Sequence, residues 1–247
     1  MITDVTAGHA QQIHQRGYTH GRLSAVLDPE LLQGADWKQF ADSWNNLQQD
    51  AYMADGGTYR RRRYSEFRYD TAADALTLLP HVPYRQSRDV NYLNGGIDRH
   101  FEAFESQVSA SPVLRAIFQW CATVLLDPAG TAGTDVWKIQ TFQNRILARS
   151  TEHGQPTPEG IHRDGVDYVL TLLIERNSID GGLSRIYDAP TRECLDEVTL
   201  SEPGEFLYAD DERMLHSVTP LTPAAKGVQG HRDVLIAMFS RTPKETR

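Results

Sequence analysis

Cysteine is nearly absent. The two residues, Cys121 and Cys194, stand far apart in the 247-residue chain, and neither belongs to a CxxC pair. That excludes a disulfide-stapled scaffold and a thiolate zinc site, and it suits a reducing compartment. Long apolar runs are missing too: none approaches the roughly eighteen residues that span a bilayer. The opening "MITDVTAGHAQQIHQRGY" has no basic segment followed by an apolar one, so a secretory leader is not expected and a cytoplasmic location is. Positive charge is not in excess. A formal net charge of −8 argues against nucleic acid or an anionic membrane as partner, since both select a basic face. Repeats and low-complexity linkers are also absent. What is present is an ordinary globular composition in a chain long enough to bury a sizeable core.

The opening third mixes helix and strand. "DWKQFADSWNNLQQD" places Trp37, Phe40, Ala41, Trp44 and Leu47 on one stripe and predicts an amphipathic helix. "TYRRRRYSEFRYD" alternates aromatic and charged residues and reads as a strand, and "ALTLLPHVPY" as another broken by its prolines. "SPVLRAIFQWCATVLLD" is a helix with Ser111 as its cap and Pro112 in its first turn, ended by the turn residues "DPAGTAGTD". From Val136 onward the texture is short strands between turns: "VWKIQTFQNRILA", "VDYVLTLLIE", "LSRIYDA", "VTLSEPGEFLYAD", "MLHSVTPL" and "RDVLIAMFS". Such a series suggests a sandwich or jelly-roll. The expectation is one domain over 1–247, in which a mixed helix and strand part, 1–135, packs on a β core at 136–243. Cys194 reads as a small buried apolar residue.

Two His-Arg-Asp triplets stand out, His162–Asp164 and His231–Asp233. A kinase catalytic loop would need Asn five residues after the Asp; Val169 and Met238 stand there instead. At the start of a strand, His-x-Asp points both side chains to one face. With one more His these make the 2-His-1-carboxylate facial triad, which leaves positions of an Fe(II) open. The first triplet has such a partner downstream, His216; no histidine follows the second. The competing reading is chance, because an HxD with a later His arises easily in a chain with nine histidines. In the second triplet Arg232 opens the last strand and suits a different task. A planar guanidinium beside a metal can take the far carboxylate of a dicarboxylate, while His231 and Asp233 point away.

At these residues the chain resembles the Fe(II)/2-oxoglutarate dioxygenases of the bacterial L-isoleucine 4-hydroxylase type. The resemblance runs over about residues 50 to 243 and rests on "TYRRRRYSEF", "NYLNGGIDRHF", "FQNRILA", "IHRDG", "IDGG", "LHSVTPL" and "HRDVLIAMFS", in that order. It implies a mainly β fold with flanking helices around a double-stranded β-helix (jelly-roll, cupin-like) core. It implies hydroxylation, or in some members sulfoxidation, of free aliphatic L-amino acids. Fe(II), 2-oxoglutarate and O2 would be the reactants, succinate and CO2 would be released, and ascorbate would be a supporting reductant. His162, Asp164 and His216 are implied as iron ligands, and Arg232 as the holder of the 5-carboxylate of 2-oxoglutarate. Many relatives in the wider superfamily carry Arg-x-Ser at this point; Val234 stands where that serine would be.

No side chain is needed as nucleophile or base, in keeping with the absence of a Ser-His or Cys-His arrangement. Selectivity then rests on holding one C–H in place. Gln143 and Arg145, which alternate on "FQNRILA", are candidates for contact with 2-oxoglutarate, Arg145 having a structural ion pair as its alternative. Arg60 and Arg62 alternate on "TYRRRRYSEF" and are candidates for substrate, against a solvated edge strand whose charges deter aggregation. Tyr92 in "NYLNGG" is a further substrate candidate, on a loop that is otherwise a plain turn. Two other readings keep the jelly-roll: a metal and 2-oxoglutarate sensor that turns nothing over, and a cupin-type zinc or manganese hydrolase or isomerase. Oligomeric state is left open.

Overall fold

Residues 2–93, 95–125 and 136–242 are described by the structure, a computed structural model. Helix α1 (Ile2–Arg16) and strand β1 (Tyr18–Arg22) open the chain, and no strong periodicity announces either. In α2 (Pro29–Gln33), Asp28 accepts from the Glu30 N–H and Pro29 fills the first turn. The expected helix over Trp37–Leu47 divides: α3 (Ala35–Asp42) ends early and Ser43–Asn46 form a 3-10 turn, yet Phe40, Trp44 and Leu47 are buried as the stripe requires. Then come β2 (Gln48–Gln49), β3 (Arg60–Asp70) and β4 (Ala75–Leu78), which stops before Pro80, followed by α4 (Ser106–Ser109). Helix α5 (Pro112–Val124) begins where its cap predicts, Ser111 accepting from the Val113 N–H at 3.2 Å. The turn expected over 127–135 lies outside the described residues.

The remaining strands are β5 (Val136–Ala148), β6 (Tyr168–Asn177), β7 (Ile179–Gly181), β8 (Leu183–Asp188), β9 (Cys194–Thr199), β10 (Glu205–Asp210), β11 (Met214–Val218), β12 (Leu221–Pro223) and β13 (Gly230–Thr242). Among the described residues, eight strands make one sheet in the order β1-β10-β6-β13-β5-β3-β2, with β4 beside β3; β11-β8-β9 and β12-β7 make two smaller sheets. All these pairings are antiparallel. This is the expected β core with flanking helices in jelly-roll form. The boundary at 136 does not hold for the sheet, however, since β1, β2, β3 and β4 all belong to it. Edge-strand reasoning also fails for the arginine run, because β3 lies between β5 and β2 and only Arg61 of the four is exposed. Cys194 is exposed on β9, while Cys121 is buried in α5.

The two faces of the large sheet have different fates, and strand alternation assigns them. Trp137 and Ile139 of β5, with Leu235, Ala237 and Phe239 of β13, pack against α5 in the main apolar cluster. Phe142 of β5, Tyr64 of β3 and Met238 of β13 face the interior of the jelly-roll in a second cluster. No helix among the described residues is long and apolar enough to cross a membrane.

Candidate active site

The loop before β6 carries His162 and Asp164, and two features hold it. His162 and His216 exchange both backbone hydrogen bonds, at 3.0 and 2.8 Å, as an isolated bridge that ties the loop to β11. The buried carboxylate of Asp211 accepts the backbone N–H groups of Asp164, Gly165 and Val166 at 3.0, 2.7 and 3.1 Å. His162 and Asp164 are therefore not on a strand, as the two-residue spacing predicts. They converge because Asp211 folds the loop back at Gly165, whose φ of +81° suits glycine.

Three side chains meet there. His216 Nε2 lies 3.6 Å from Asp164 Oδ2, His162 Nε2 lies 4.0 Å from Asp164 Oδ1, and the imidazole centroids are 4.4 Å apart. Their ligand atoms all fall within 4.8 Å of one another. His162 Nδ1 lies 3.0 Å from the Gly160 carbonyl, so it must donate, and that tautomer leaves the Nε2 lone pair facing the cluster. Burial, and then His162 beside it, push the His216 pKa down to about 4, so its ring is neutral at pH 7 with a lone pair to give. Burial opposes the charging of His162 as well, but the Asp164 and Glu159 carboxylates outweigh it and its pKa rises. Burial pushes the Asp164 carboxyl up. Two imidazoles and a carboxylate converging on one point are the donor set of a facial triad.

A cleft surrounds this cluster. Strand parity decides what lines it. Arg232 of β13 stands opposite Ile146 of β5, which stands opposite Arg60 of β3, and in antiparallel register such partners share a face. So Arg60, Arg62, Asn144, Ile146, Arg232 and Val234 line the cleft. Arg232 is 2 % exposed, its Nε and Nη2 are buried without an acceptor among the described residues, and burial pushes its pKa down to about 10. Gly182, at φ +73°, packs behind it: a Cβ there would lie 2.9 Å from Leu221 Cδ2 and 3.0 Å from Arg176 Nη1, and in ordinary contact with Arg232 Cδ at 3.7 Å.

On another wall Arg60 Nε donates to Asp50 Oδ2 at 2.7 Å, and Arg62 Nε lies 3.2 Å from the same oxygen. Burial opposes ionisation of Asp50, but Arg62 and Arg60 hold its carboxyl below the usual range. The Arg62 guanidinium sits 4.7 Å from the Phe142 ring centroid and 5.2 Å from that of Phe101. Burial, then Arg60, push its pKa down to about 9. Arg99, 2 % exposed, completes this wall.

Gln143 and Arg145 are not in the cleft. They occupy the odd positions of β5, opposite in face to Asn144 and Ile146. Gln143 donates to Ser43 Oγ at 2.7 Å, and Arg145 forks onto both oxygens of Asp233 at 2.7 and 2.6 Å. Glu175 and His231 join that group, His231 Nε2 lying 3.0 Å from Glu175 Oε2. With Arg145 already on both Asp233 oxygens, this outer cluster is an ion-pair network, and it is what the second His-Arg-Asp does around its inward Arg232. Arg145→Ala is expected to cost about 3 kcal/mol, the scale for stripping one partner from a buried pair; denaturant unfolding checks it. Tyr92 is likewise outside the cleft. It is 74 % exposed at the rim, its hydroxyl 3.4 Å from the Glu159 carbonyl.

Asp211, Arg99, Glu159 and Asn144 also shape the site, although no motif of the sequence marks them. Asn144 was within reach, because the inward parity of Arg232 carries across the register to β5. The others come from loops or strand ends where no periodicity operates.

Residues 41–238 match the 2OG-Fe dioxygenase family. The L-isoleucine-4-hydroxylase of Bacillus thuringiensis is 29 % identical over 204 residues, 82 % of this chain and 81 % of that protein. Among solved structures, a bsmA homolog from Methylobium petroleophilum PM1 superposes with a TM-score of 0.82 at 30 % identity, over 95 % of this chain and 92 % of that one. IDO from Bacillus thuringiensis superposes with a TM-score of 0.75 at 21 % identity over 96 % of each chain, a likeness of fold.

Proposed function

Since the chain belongs to the 2OG-Fe dioxygenase family, we propose that it hydroxylates an aliphatic C–H of a free L-amino acid or a close derivative, with release of succinate and CO2. In this reading His162, Asp164 and His216 hold Fe(II), and Arg232 takes the far carboxylate of 2-oxoglutarate. The observation that carries it is Arg232 itself. A desolvated guanidinium with unpartnered donors is costly unless a ligand anion completes it, and it lies in the same cleft as the three converging side chains. Fe(II) with 2-oxoglutarate supplies the activation of O2 needed to break an unactivated C–H.

The chain's own residues do the rest. Val234 and Ile236 line the cleft with apolar surface beside Arg232, which limits water there and strengthens the pairing of guanidinium and carboxylate. Arg60 and Arg62 stand on the wall that faces the substrate, and Asp50 fixes their orientation. Asp211 holds the loop that carries Asp164. No side chain serves as general base. The name of the Bacillus thuringiensis relative supports an aliphatic amino acid as substrate class. A zinc or manganese hydrolase would leave Arg232 without a task.

Two measurements test this reading. Titrating 2-oxoglutarate in the presence of Mn(II) should raise the Tm, because a ligand at a hundred times its Kd stabilises the native state by about 2.7 kcal/mol. A mass-spectrometric screen over free amino acids and their acylated forms, with Fe(II), 2-oxoglutarate and ascorbate, should find a product one oxygen atom heavier. Succinate release independent of every compound in that panel would retire the amino-acid reading.

A further inference from the structure

The cleft holds two separate sets of buried, unpartnered polar atoms. Arg232 stands on β13, two strands from Arg60 and Arg62 on β3 with β5 between them, whereas Arg60, Arg62 and Arg99 lie within electrostatic reach of one another. On that second wall Arg60 Nη2 and Arg99 Nε are buried without a hydrogen-bond acceptor among the described residues, while Arg62 Nε has only the Asp50 carboxylate, 3.2 Å away and shared with Arg60. Asp50 neutralises one of the three cations, so the wall stays positive.

An opposite pole stands beside it. Glu159 lines the same cleft and is within electrostatic reach of Arg99 and Asp164. Its Oε1 lies 3.4 Å from His162 Nε2, and its Oε2 is buried with no donor among the described residues. Neither pole satisfies the other, although both are out of water. A ligand that completes both must carry an anion and a cation close together, which is the head group of an unblocked α-amino acid. Resting on the hydroxylase reading above, we propose that Arg99 and Arg62 take the substrate's α-carboxylate and Glu159 its α-ammonium. The head group is thereby read as a zwitterion.

The supports of these residues suit the task. The Arg99 guanidinium lies 4.7 Å from the Tyr84 ring centroid, and its Nη2 donates to Gln86 Oε1 at 2.8 Å. Gln86 Nε2 donates in turn to the Asp164 carbonyl at 3.2 Å. One amide thus ties the carboxylate-binding wall to the loop of the metal cluster, and so sets the distance from head group to metal. Blocking either end of the amino acid removes one pole's partner and leaves buried atoms unmet.

Binding is measured by calorimetry on the full chain loaded with Mn(II) and 2-oxoglutarate. The probes are L-leucine, L-isoleucine and L-methionine, each as the free acid, the N-acetyl derivative and the α-amide. The free acids should bind about 30-fold tighter than either blocked form, the scale of one lost charge-assisted hydrogen bond in a buried site. Glu159→Gln should lose a similar factor for the free acids and amides but not for the N-acetyl forms. Arg99→Met should do the reverse, weakening free acids and N-acetyl forms and sparing the amides. Both variants should bind 2-oxoglutarate as the wild type does, which also reports that they are folded; if one does not fold, the wild-type comparison of free and blocked ligands decides alone. Equal wild-type affinity for free and N-acetyl forms, or Glu159→Gln binding free acids unchanged, overturns the zwitterion site and leaves the hydroxylase reading standing. Wild type that binds 2-oxoglutarate but none of the nine compounds overturns both.

Discussion

His162→Ala and Asp164→Ala are each expected to abolish Fe(II)-dependent succinate release while leaving the protein folded. Residues one step removed from a metal typically cost about 10–100-fold when mutated, and loss of a ligand should exceed that. Folding should survive for reasons visible in the loop. The bridge between His162 and His216 is made by backbone atoms, and so are the three N–H groups that Asp211 accepts, so neither substitution removes them. The Asp164 carboxyl is pushed up by burial. The sign follows: a carboxyl whose folded pKa is raised destabilises the metal-free fold above that pKa, and the penalty vanishes as the pH falls below its ordinary value. Asp164→Ala should therefore be no less stable than wild type at neutral pH without metal. Circular dichroism and a melting curve, run beside the succinate assay, separate the two effects. An Asp164→Ala protein that keeps most of its turnover would remove it from the ligand set.

Arg232→Met has the second-largest expected effect, and its two halves run in opposite directions. The KM for 2-oxoglutarate should rise by about 10²–10³-fold, since truncating one partner of a buried hydrogen-bonded charge pair costs about 2–5 kcal/mol. The metal-free, ligand-free protein should melt no lower than wild type, because the substitution removes a buried cation whose Nε and Nη2 have no acceptor among the described residues. Affinity for the prime substrate should change far less. A steady-state titration in each reactant and a melting curve with and without 2-oxoglutarate check this. A KM for 2-oxoglutarate that does not move would leave the second His-Arg-Asp without the role given to it here.

Much of the site can be read along the chain because its chemistry needs particular residue types in a particular order. Two histidines and an aspartate in one grouping, with an arginine opening the last strand, survive as a pattern whatever the loops between them do. The opposite fates of Arg232 and its neighbours also follow from alternation: Arg232 faces the cleft, while Asp233 and His231 join Arg145 and Glu175 outside it. The same alternation misleads on β5. It says that Gln143 and Arg145 share a face, and it does not say which face.

The sequence by itself determined the strand-rich core, the cap and first turn of α5, the grouping of His162, Asp164 and His216, and the inward arginine of the last strand. Only the tertiary structure decided that Asn144 rather than Gln143 enters the cleft, that Arg60 and Arg62 share a wall with Arg99, and that Asp211 shapes the loop of Asp164. The physical reason is one of range. Alternation and capping act over a few residues and leave a trace in the local order of side chains. Which face is inside depends on the register of Arg60, Ile146 and Arg232 across three strands that are distant in the chain, and a hydrogen bond from a loop to a carboxylate such as Asp211, 47 residues away from Asp164, leaves no period at all.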